Sequence, residues 1–411
     1  METTVIMAGI IMEVTRGAKA VMVVVIMAAD IREEAIMVEV IMVEVMAADI
    51  RVEVDIMAVA AAGGIEESSM DQAAEIAASS EASIHVFTNE RAHIVNCVRR
   101  WGGATSDAVL DPAIEYYQAS GISGFIGYRR AFNCAVVFGD PVCAAEDKLL
   151  LAEAFHQHAK SLNWSIVYVG ASHVFAERAI GSLCGALVEF GEELVFDPSC
   201  DPRKRTGTNG SLVRRKVKRA IREGVSVHEY LENDLALERA IEEIGVIWLS
   251  ARKGLQIHIS NVHLFSDRQG KRWFYAKQGE KIIGSISLNR LQAHDGWLIN
   301  HLMAIPDAPH GTSEHLLTSV LEILDREGCR YASVGMISAK QLGQIVGLGR
   351  FSTVFARFAF AFARRIFDLD GLNTFWKKFH PNTQPSLLLF SSSKVGIREM
   401  LGISRAMNGP I

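Results

Sequence analysis

Residues 297–336 read in unbroken order as a strand (WLINHLMAI), a proline-containing loop (PDAPHG), a helix (TSEHLLTSVLEILDREG) and a second strand (YASVGM). A strand that opens directly onto a helix leaves unpaired backbone N–H groups at the helix N-terminus, where an acyl or phosphate group can bind. The same order occurs earlier. Ala131–Gly139 is an apolar run, GDPVCAAED a turn, Lys148–Leu162 a helical stretch and Trp164–Gly170 a second apolar run. Two copies of one supersecondary unit predict a duplicated α/β architecture.

The 411 residues suffice for two domains, and 49% hydrophobic with 22% charged residues is ordinary for a globular chain. A net charge of −5 excludes global basicity, so any nucleic-acid contact has to come from a local patch. The six cysteines form no C-x-x-C pair and no zinc-spaced cluster with histidine, which predicts free thiols and no metal. Ten of the 14 methionines fall at or before Met70, where MAADIR recurs at Met27–Arg32 and Met46–Arg51 and IMVEV repeats in tandem from Ile36. Residues 1–64 therefore read as a low-complexity extension, either without function or a partner-binding segment, whose Val/Glu alternation also suits strands. Its longest apolar run, Ala20–Ala29, is shorter than the roughly 18–20 residues of a membrane span. Acidic residues from Glu2 onward argue against a signal peptide.

Residues 65–85 read as a linker, 86–201 as a first lobe, 202–224 as a basic linker and connecting helix, 225–400 as a second lobe and 401–411 as a tail. Within the first lobe, HVFAERAIGSLCGA is expected as a helix and LVEFGEELVFDP as a strand pair broken by a turn. Asp201–Gly210 has turn chemistry, and Ser211 is an N-cap candidate for the helix that Gly224 closes. Asp234 is expected to cap the next helix, and RWFYAKQ with KIIGSISLNRL to form a hairpin turning at Gly279.

Between Arg203 and Arg222 stand nine basic residues and no acidic one. Arg215, Lys218, Arg219 and Arg222 share a helical face by their three- and four-residue spacing, and Arg214 adjoins them. Either this is a solvated surface helix or it meets a polyanion such as RNA phosphates or lipid head groups. The PDAPHG loop sets Thr312 or Ser313 at a helix N-cap, which makes Asp307, His310, Gly311 and Thr312 candidate contacts to a carbonyl oxygen or phosphate. The plainer alternative is that Pro306 and Pro309 stiffen a turn. His301, on the strand before that loop, is a candidate general base for a hydroxyl, or else a hydrogen-bonded structural residue. Asp140, in FGDP, divides in the same way between substrate contact and turn capping. Phe351–Phe367 carries six phenylalanines with Arg357, Arg364 and Arg365, and reads as a core helix or as the wall of a pocket for an apolar acceptor. Lys377 and Lys378 suit a phosphate or carboxylate, or lie along the surface.

Seven of these stretches, VVFGDPVC, VYVGAS, EFGEELVFDP, LVRRKVKRAIREG, LMAIPDAPHG, YASVGM and GLNTFWKKFHP, occur in this order from about Val86 to Phe390. Together they resemble the C-terminal catalytic domain of phosphatidylglycerol lysyltransferases and the wider family of aminoacyl-tRNA-dependent lipid aminoacyltransferases, with its sterol-modifying members. The resemblance implies tandem acyl-CoA N-acyltransferase-like (GNAT-like) lobes joined by the basic helix, with aminoacyl-tRNA as donor, a lipid hydroxyl as acceptor, no cofactor, and a place in the cytoplasm or at the membrane surface. Members acting on phosphatidylglycerol carry an Asp and an Arg flanking Leu-Met before the Pro-Asp-Ala-Pro segment. Here His301 and Ala304 stand there, which removes a bidentate phosphate clamp and favours a neutral hydroxyl lipid such as a sterol. The competing readings are an acetyl-CoA-dependent N-acetyltransferase and a non-catalytic lipid- or RNA-binding module. Against the former, the CoA-binding Gln/Arg-x-x-Gly-x-Gly/Ala loop is missing and Pro309 lacks an N–H donor.

Overall fold

The computed structural model describes residues 5–14, 20–29, 36–45, 91–231, 233–251, 264–366 and 370–407. The expected linker at 65–85, the end of the tail at 408–411 and Phe367 lie outside the described residues. The chain divides into two compact units, Met1–Ser83 and Ile84–Ile411. In the first, β1 (Val5–Val14), β2 (Ala20–Ala29) and β3 (Ile36–Val45) form an antiparallel meander, Val5 opposite Ala29 and Ala20 opposite Val45. Runs rich in β-branched valine and isoleucine suit this pleated geometry.

The second unit opens with α1 (residues 91–101), followed by β4 (Glu115–Tyr117), β5 (Gly124–Ala131), β6 (Cys134–Phe138), β7 (Val142–Cys143), α2 (Lys148–Ser161), β8 (Ser165–Ala171), α3 (His173–Ala179) and β9 (Ala186–Phe196). Then come α4 (Gly207–Arg222), β10 (Val225–Glu229), α5 (Leu235–Ser250), β11 (Lys271–Gln278), β12 (Lys281–Leu291), β13 (Gly296–Ala304), α6 (Thr312–Arg326) and β14 (Ala332–Ser338). The chain closes with β15 (Ile345–Val346), α7 (Arg350–Ile366), α8 (Asp370–Lys377), β16 (Asn382–Phe390) and α9 (Ile397–Ala406).

One mixed sheet runs β10-β11-β12-β13-β14-β9-β16-β8-β6-β5-β4. Its parallel neighbours are β6 with β8 and β13 with β14, and each pair is bridged by a helix, α2 or α6, as parallel strands require. These are the two copies of the strand–helix–strand unit, and the fold is the expected α/β arrangement of tandem GNAT-like halves joined by the basic helix α4. The halves also exchange strands. β9, from the first half, pairs with β14 of the second, and β16, late in the chain, inserts between β9 and β8.

In the first half β6 is apolar on both faces because both are covered. Ala135 and Val137 face a core with Leu151 and Phe155 of α2, whereas Cys134, Val136 and Phe138 join Ile94 and Val98 of α1 in another. The second half packs Leu316, Leu317, Val320, Leu321 and Leu324 of α6 against Ile286 and Leu288 of β12.

Several local expectations are corrected. β9 is a single strand, and Gly191 within it serves close backbone approach rather than a turn: a Cβ there would lie 2.6 Å from the Ile337 carbonyl oxygen. α3 ends at Ala179 instead of running on through GSLCGA. α4 begins a turn before Ser211, with Thr206 at its N-cap. Residues 401–406 are not a tail but the end of α9, where Gly402 lies against Cys134 and the Ala406 carbonyl accepts from Arg129. Asp234 does cap α5, accepting from the N–H groups of Ala236 and Leu237, and Gly279 turns the hairpin at φ 58°.

Candidate functional site

β13 and β14 pair at Trp297–Ala332 and Leu298–Ser333, and the ladder goes no further along the two strands. A wedge therefore opens between two parallel neighbours, the kind of crevice in which open α/β sheets bind ligands. On β13 the first residues past the last pair are irregular. Pairing with β12 steps from Ser287–His301 to Leu288–Ile299, so Asn300 is an extra residue in a bulge.

β12 carries the matching polarity. Gly284 packs on Leu316 and Thr312 of α6, so Ile286 and Leu288 share that face. Ser285, Ser287 and Asn289 lie on the opposite face, and all three are buried. The Ser285 hydroxyl and both amide atoms of Asn289 have no hydrogen-bond partner among the described residues. Buried polar atoms are rarely left so, and hydrogen-bonding capacity remains here for a bound molecule or water. Ser287 Oγ lies 3.2 Å from His301 Nδ1, and Lys271 and Trp273 of β11 stand opposite Asn289 and Ser287.

A segment from the first half completes this surface. After α1 ends at the close-packed Gly102, the chain passes Thr105, which fits between Gly139 and Gly170 at the ends of β6 and β8, both at φ 74°. Thr105 Oγ1 donates to the Gly170 carbonyl at 3.1 Å. Two residues later Asp107 crosses to the second half, accepting from Arg99 Nη1 at 2.7 Å and Asn300 Nδ2 at 2.8 Å. Arg99 is 2% exposed, donates through Nε to the Gln269 carbonyl, and its Nη2 has no partner among the described residues.

The electrostatics follow from this burial. Burial alone would raise the Asp107 carboxyl, but the Arg99 guanidinium outweighs it and holds the group below the usual carboxylate range. Burial pushes the His301 imidazole down to about 4 despite the Asp107 charge, and it likewise lowers Lys271. At neutral pH the cluster holds a neutral imidazole beside a carboxylate, with Nδ1 engaged by Ser287 and Nε2 without a partner among the described residues. Such a group can receive a proton from a hydroxyl placed in the wedge.

The remaining predicted residues have other surroundings. The N-terminus of α6 is not open to a ligand. Its N-cap is Gly311, at φ 102°, where a Cβ would meet the Lys216 carbonyl of α4 at 2.1 Å. Thr312 is buried and donates to the Pro309 carbonyl at 2.7 Å. The helix end is closed by its own Glu314, whose carboxylate bonds its own N–H and pairs with Lys378 at 2.6 Å and Lys216 at 3.5 Å. The expectation of an exposed anion site there is thus overturned, because the chain supplies the anion itself. Lys378 is engaged by that pair and by the Phe375 ring 3.8 Å away, and Lys377 pairs with Glu192 at 2.9 Å. Asp307 and His310 are exposed, and Asp307 lines a cavity of about 320 Å³ between α5 and the start of β12.

Asp140 takes three donors, Ser172 N–H at 2.8 Å, Ser172 Oγ at 2.7 Å and Lys148 Nζ at 2.9 Å, and so closes the turn from β8 into α3. On α4, Arg214 turns back to the carbonyls of Arg203 and Arg205, and Arg219 pairs with Glu223 at 2.6 Å. Arg215, Lys218 and Arg222 are exposed with no partner among the described residues. Over its described side chains, residues 350–361, α7 departs from the expected core helix: none of them joins a hydrophobic core.

Sequence reasoning isolated His301 and missed its companions Arg99, Asp107, Lys271, Ser287, Asn289 and Asn300. One signal was present. In SISLN, polar residues occupy every second place of a strand whose other places are apolar, which marks a polar face on a strand otherwise fit for the core.

A family model described as phosphatidylglycerol lysyltransferase, C-terminal, matches residues 98–390. Among curated proteins, phosphatidylglycerol lysyltransferase of Staphylococcus aureus is 20% identical over 301 residues, covering 70% of this chain and 34% of that protein. That of Staphylococcus epidermidis is 20% identical over 292 residues, covering 69% and 33%. The chain thus spans about a third of the length of these relatives. Among solved structures, the C-terminal domain of a putative lysylphosphatidylglycerol synthetase from Agrobacterium fabrum superposes with a TM-score of 0.64 at 17% identity, over 79% of this chain and 98% of that one. L-PGS from Bacillus licheniformis gives 0.60 at 15% identity, over 77% and 96%. At these identities the superpositions speak for the fold.

Proposed function

The chain belongs to the phosphatidylglycerol lysyltransferase C-terminal family, and on that premise we propose that it transfers an aminoacyl group from aminoacyl-tRNA to a lipid hydroxyl in the wedge between β13 and β14. The observation that carries the proposal is His301, neutral and partly buried at the wedge, beside Asp107 and with no partner for Nε2 among the described residues. The donor ester is already activated, so the protein has to align the acceptor, take its proton and favour the tetrahedral oxyanion. In this reading the acceptor oxygen attacks the ester carbonyl while His301 Nε2 takes its proton. The C–O bond to the ribose then breaks, and the same proton passes to the departing ribose oxygen. Asp107, held by Arg99 and Asn300, steadies the imidazolium while it exists. Atoms and charge balance without oxidant or reductant, and the reading calls for no cofactor.

The exposed Arg215, Lys218 and Arg222 of α4 supply a cationic face for the tRNA backbone. Ala304 at the end of β13 offers no guanidinium to a lipid phosphate, which supports a neutral hydroxyl lipid such as a sterol over phosphatidylglycerol. The test is incubation of the protein with radiolabelled aminoacyl-tRNAs and vesicles containing either acceptor. RNase-sensitive label is expected in the organic phase, and His301→Ala is expected to lower kcat/KM by roughly 10²–10⁴-fold with unchanged circular dichroism. Label that never leaves the aqueous phase, with acetyl-CoA-dependent acetylation in its place, would sink the reading.

A further inference from the structure

α7 has the composition of a core helix and the placement of a surface one. Its sequence, RFSTVFARFAFAFARRI, carries five phenylalanines. Phe351 is 77% exposed, Val354 68% and Phe358 60%. At 100° per residue these three fall within an arc of about 60°, so they form one apolar stripe along the helix. Among the described residues no other helix exposes three large apolar side chains on one face. Leaving this stripe in water is unfavourable, and the sheet does not cover it.

The flank of the stripe identifies what does. Arg350 and Arg357 are exposed, each one residue before an exposed phenylalanine, and have no partner among the described residues. The spacing of seven recurs in the sequence at Arg364. No acidic residue occurs anywhere in α7. An apolar stripe edged by unpaired arginines complements a surface that is apolar within and anionic outside, which describes a bilayer containing acidic lipids. A protein partner with an apolar groove would match the phenylalanines, but the unpaired arginines favour the anionic lipid surface. No helix among the described residues is long and apolar enough to cross a membrane.

We propose that α7 is an interfacial helix that seats the protein on anionic lipid membranes, Phe351, Val354 and Phe358 entering the head-group boundary while Arg350 and Arg357 pair with lipid phosphates. This rests on the reading that the acceptor is a lipid, and it adds where that lipid's membrane lies. α8 follows within four residues and holds the end of β14, Asn373 Nδ2 donating to the Ser338 carbonyl at 2.7 Å, so the helix joins the membrane to one wall of the wedge.

The test is sedimentation of the full chain with phosphatidylglycerol–phosphatidylcholine vesicles and with phosphatidylcholine vesicles alone. The wild type is expected to bind the anionic vesicles and to weaken with salt. Phe351→Ser/Val354→Ser/Phe358→Ser is expected to lose at least about tenfold in partitioning. Arg350→Gln/Arg357→Gln is expected to lose about fivefold per arginine on anionic vesicles and nothing on neutral ones. Both variants are expected to stay within about twofold of wild type in transfer to detergent-dispersed acceptor, which keeps this test separate from that of the function. Vesicle binding unchanged by the triple substitution overturns the proposal. So does a wild-type chain that ignores vesicles, or one that self-associates in sedimentation velocity through the same residues.

Discussion

At the residue scale the proposed chemistry turns on a histidine that the protein keeps neutral. The folded-state pKa of His301, about 4, lies below the ordinary value near 6.5, so the unfolded chain binds the proton more readily. Stability is therefore full above about pH 6.5 and falls as pH drops toward 4, by up to about 3 kcal/mol from this group. His156, buried against the Tyr168 hydroxyl and also depressed to about 4, adds a loss of the same sign. Urea titrations at pH 7.0 and 4.5 should show this drop, and His301→Gln should remove roughly half of it; an undiminished drop would separate His301 from the acid sensitivity. Asp107→Asn leaves Arg99 buried without its counter-charge and should cost about 3–5 kcal/mol, measurable in the same titrations. The sequence pointed to His301 through its place before a strand–helix loop. It could not point to Arg99 or Asp107, because a charge 202 or 194 residues away along the chain carries no local mark of its partner.

At the element scale, helices were legible wherever an apolar stripe repeated, and their ends were less so. The helix α6 and the cap of α5 came through intact. The start of α4 did not, because nothing local in TGTNG announces that Gly210 will sit against the Arg205 carbonyl, where a Cβ would come within 2.2 Å. The α4–α6 contact is tight enough to test. Gly311→Ala combines a positive φ with a clash against Lys216 and should destabilise by about 2–4 kcal/mol in thermal or urea unfolding. An effect below 0.5 kcal/mol would show that α4 yields there with little strain. On the outer face of α4, Arg215→Ala/Lys218→Ala/Arg222→Ala should weaken tRNA binding and lower the slope of log K against log salt by about 2. A slope equal to that of wild type would place the tRNA elsewhere.

At the scale of the whole molecule, the two halves are more entangled than their duplicated sequence units imply. β16 completes the first half's sheet from a position late in the second half, and Asp107 returns the link by bonding Asn300. Deletion of residues 382–411 should therefore abolish folding of residues 84–224 as well, and a chain of residues 84–411 should unfold in one transition by fluorescence and circular dichroism alike. Two separated transitions, or a folded truncation, would mean that the halves are independent. The sequence by itself determined the two strand–helix–strand units, the basic connector and the polarity of one strand, because period and composition act between near neighbours. The tertiary structure alone decided that the α6 N-terminus is sealed, that β16 crosses over, and that Arg99, Asp107 and His301 meet. Those outcomes depend on burial and charge between residues far apart in the chain, whose energies exist only once the sheet has brought them together.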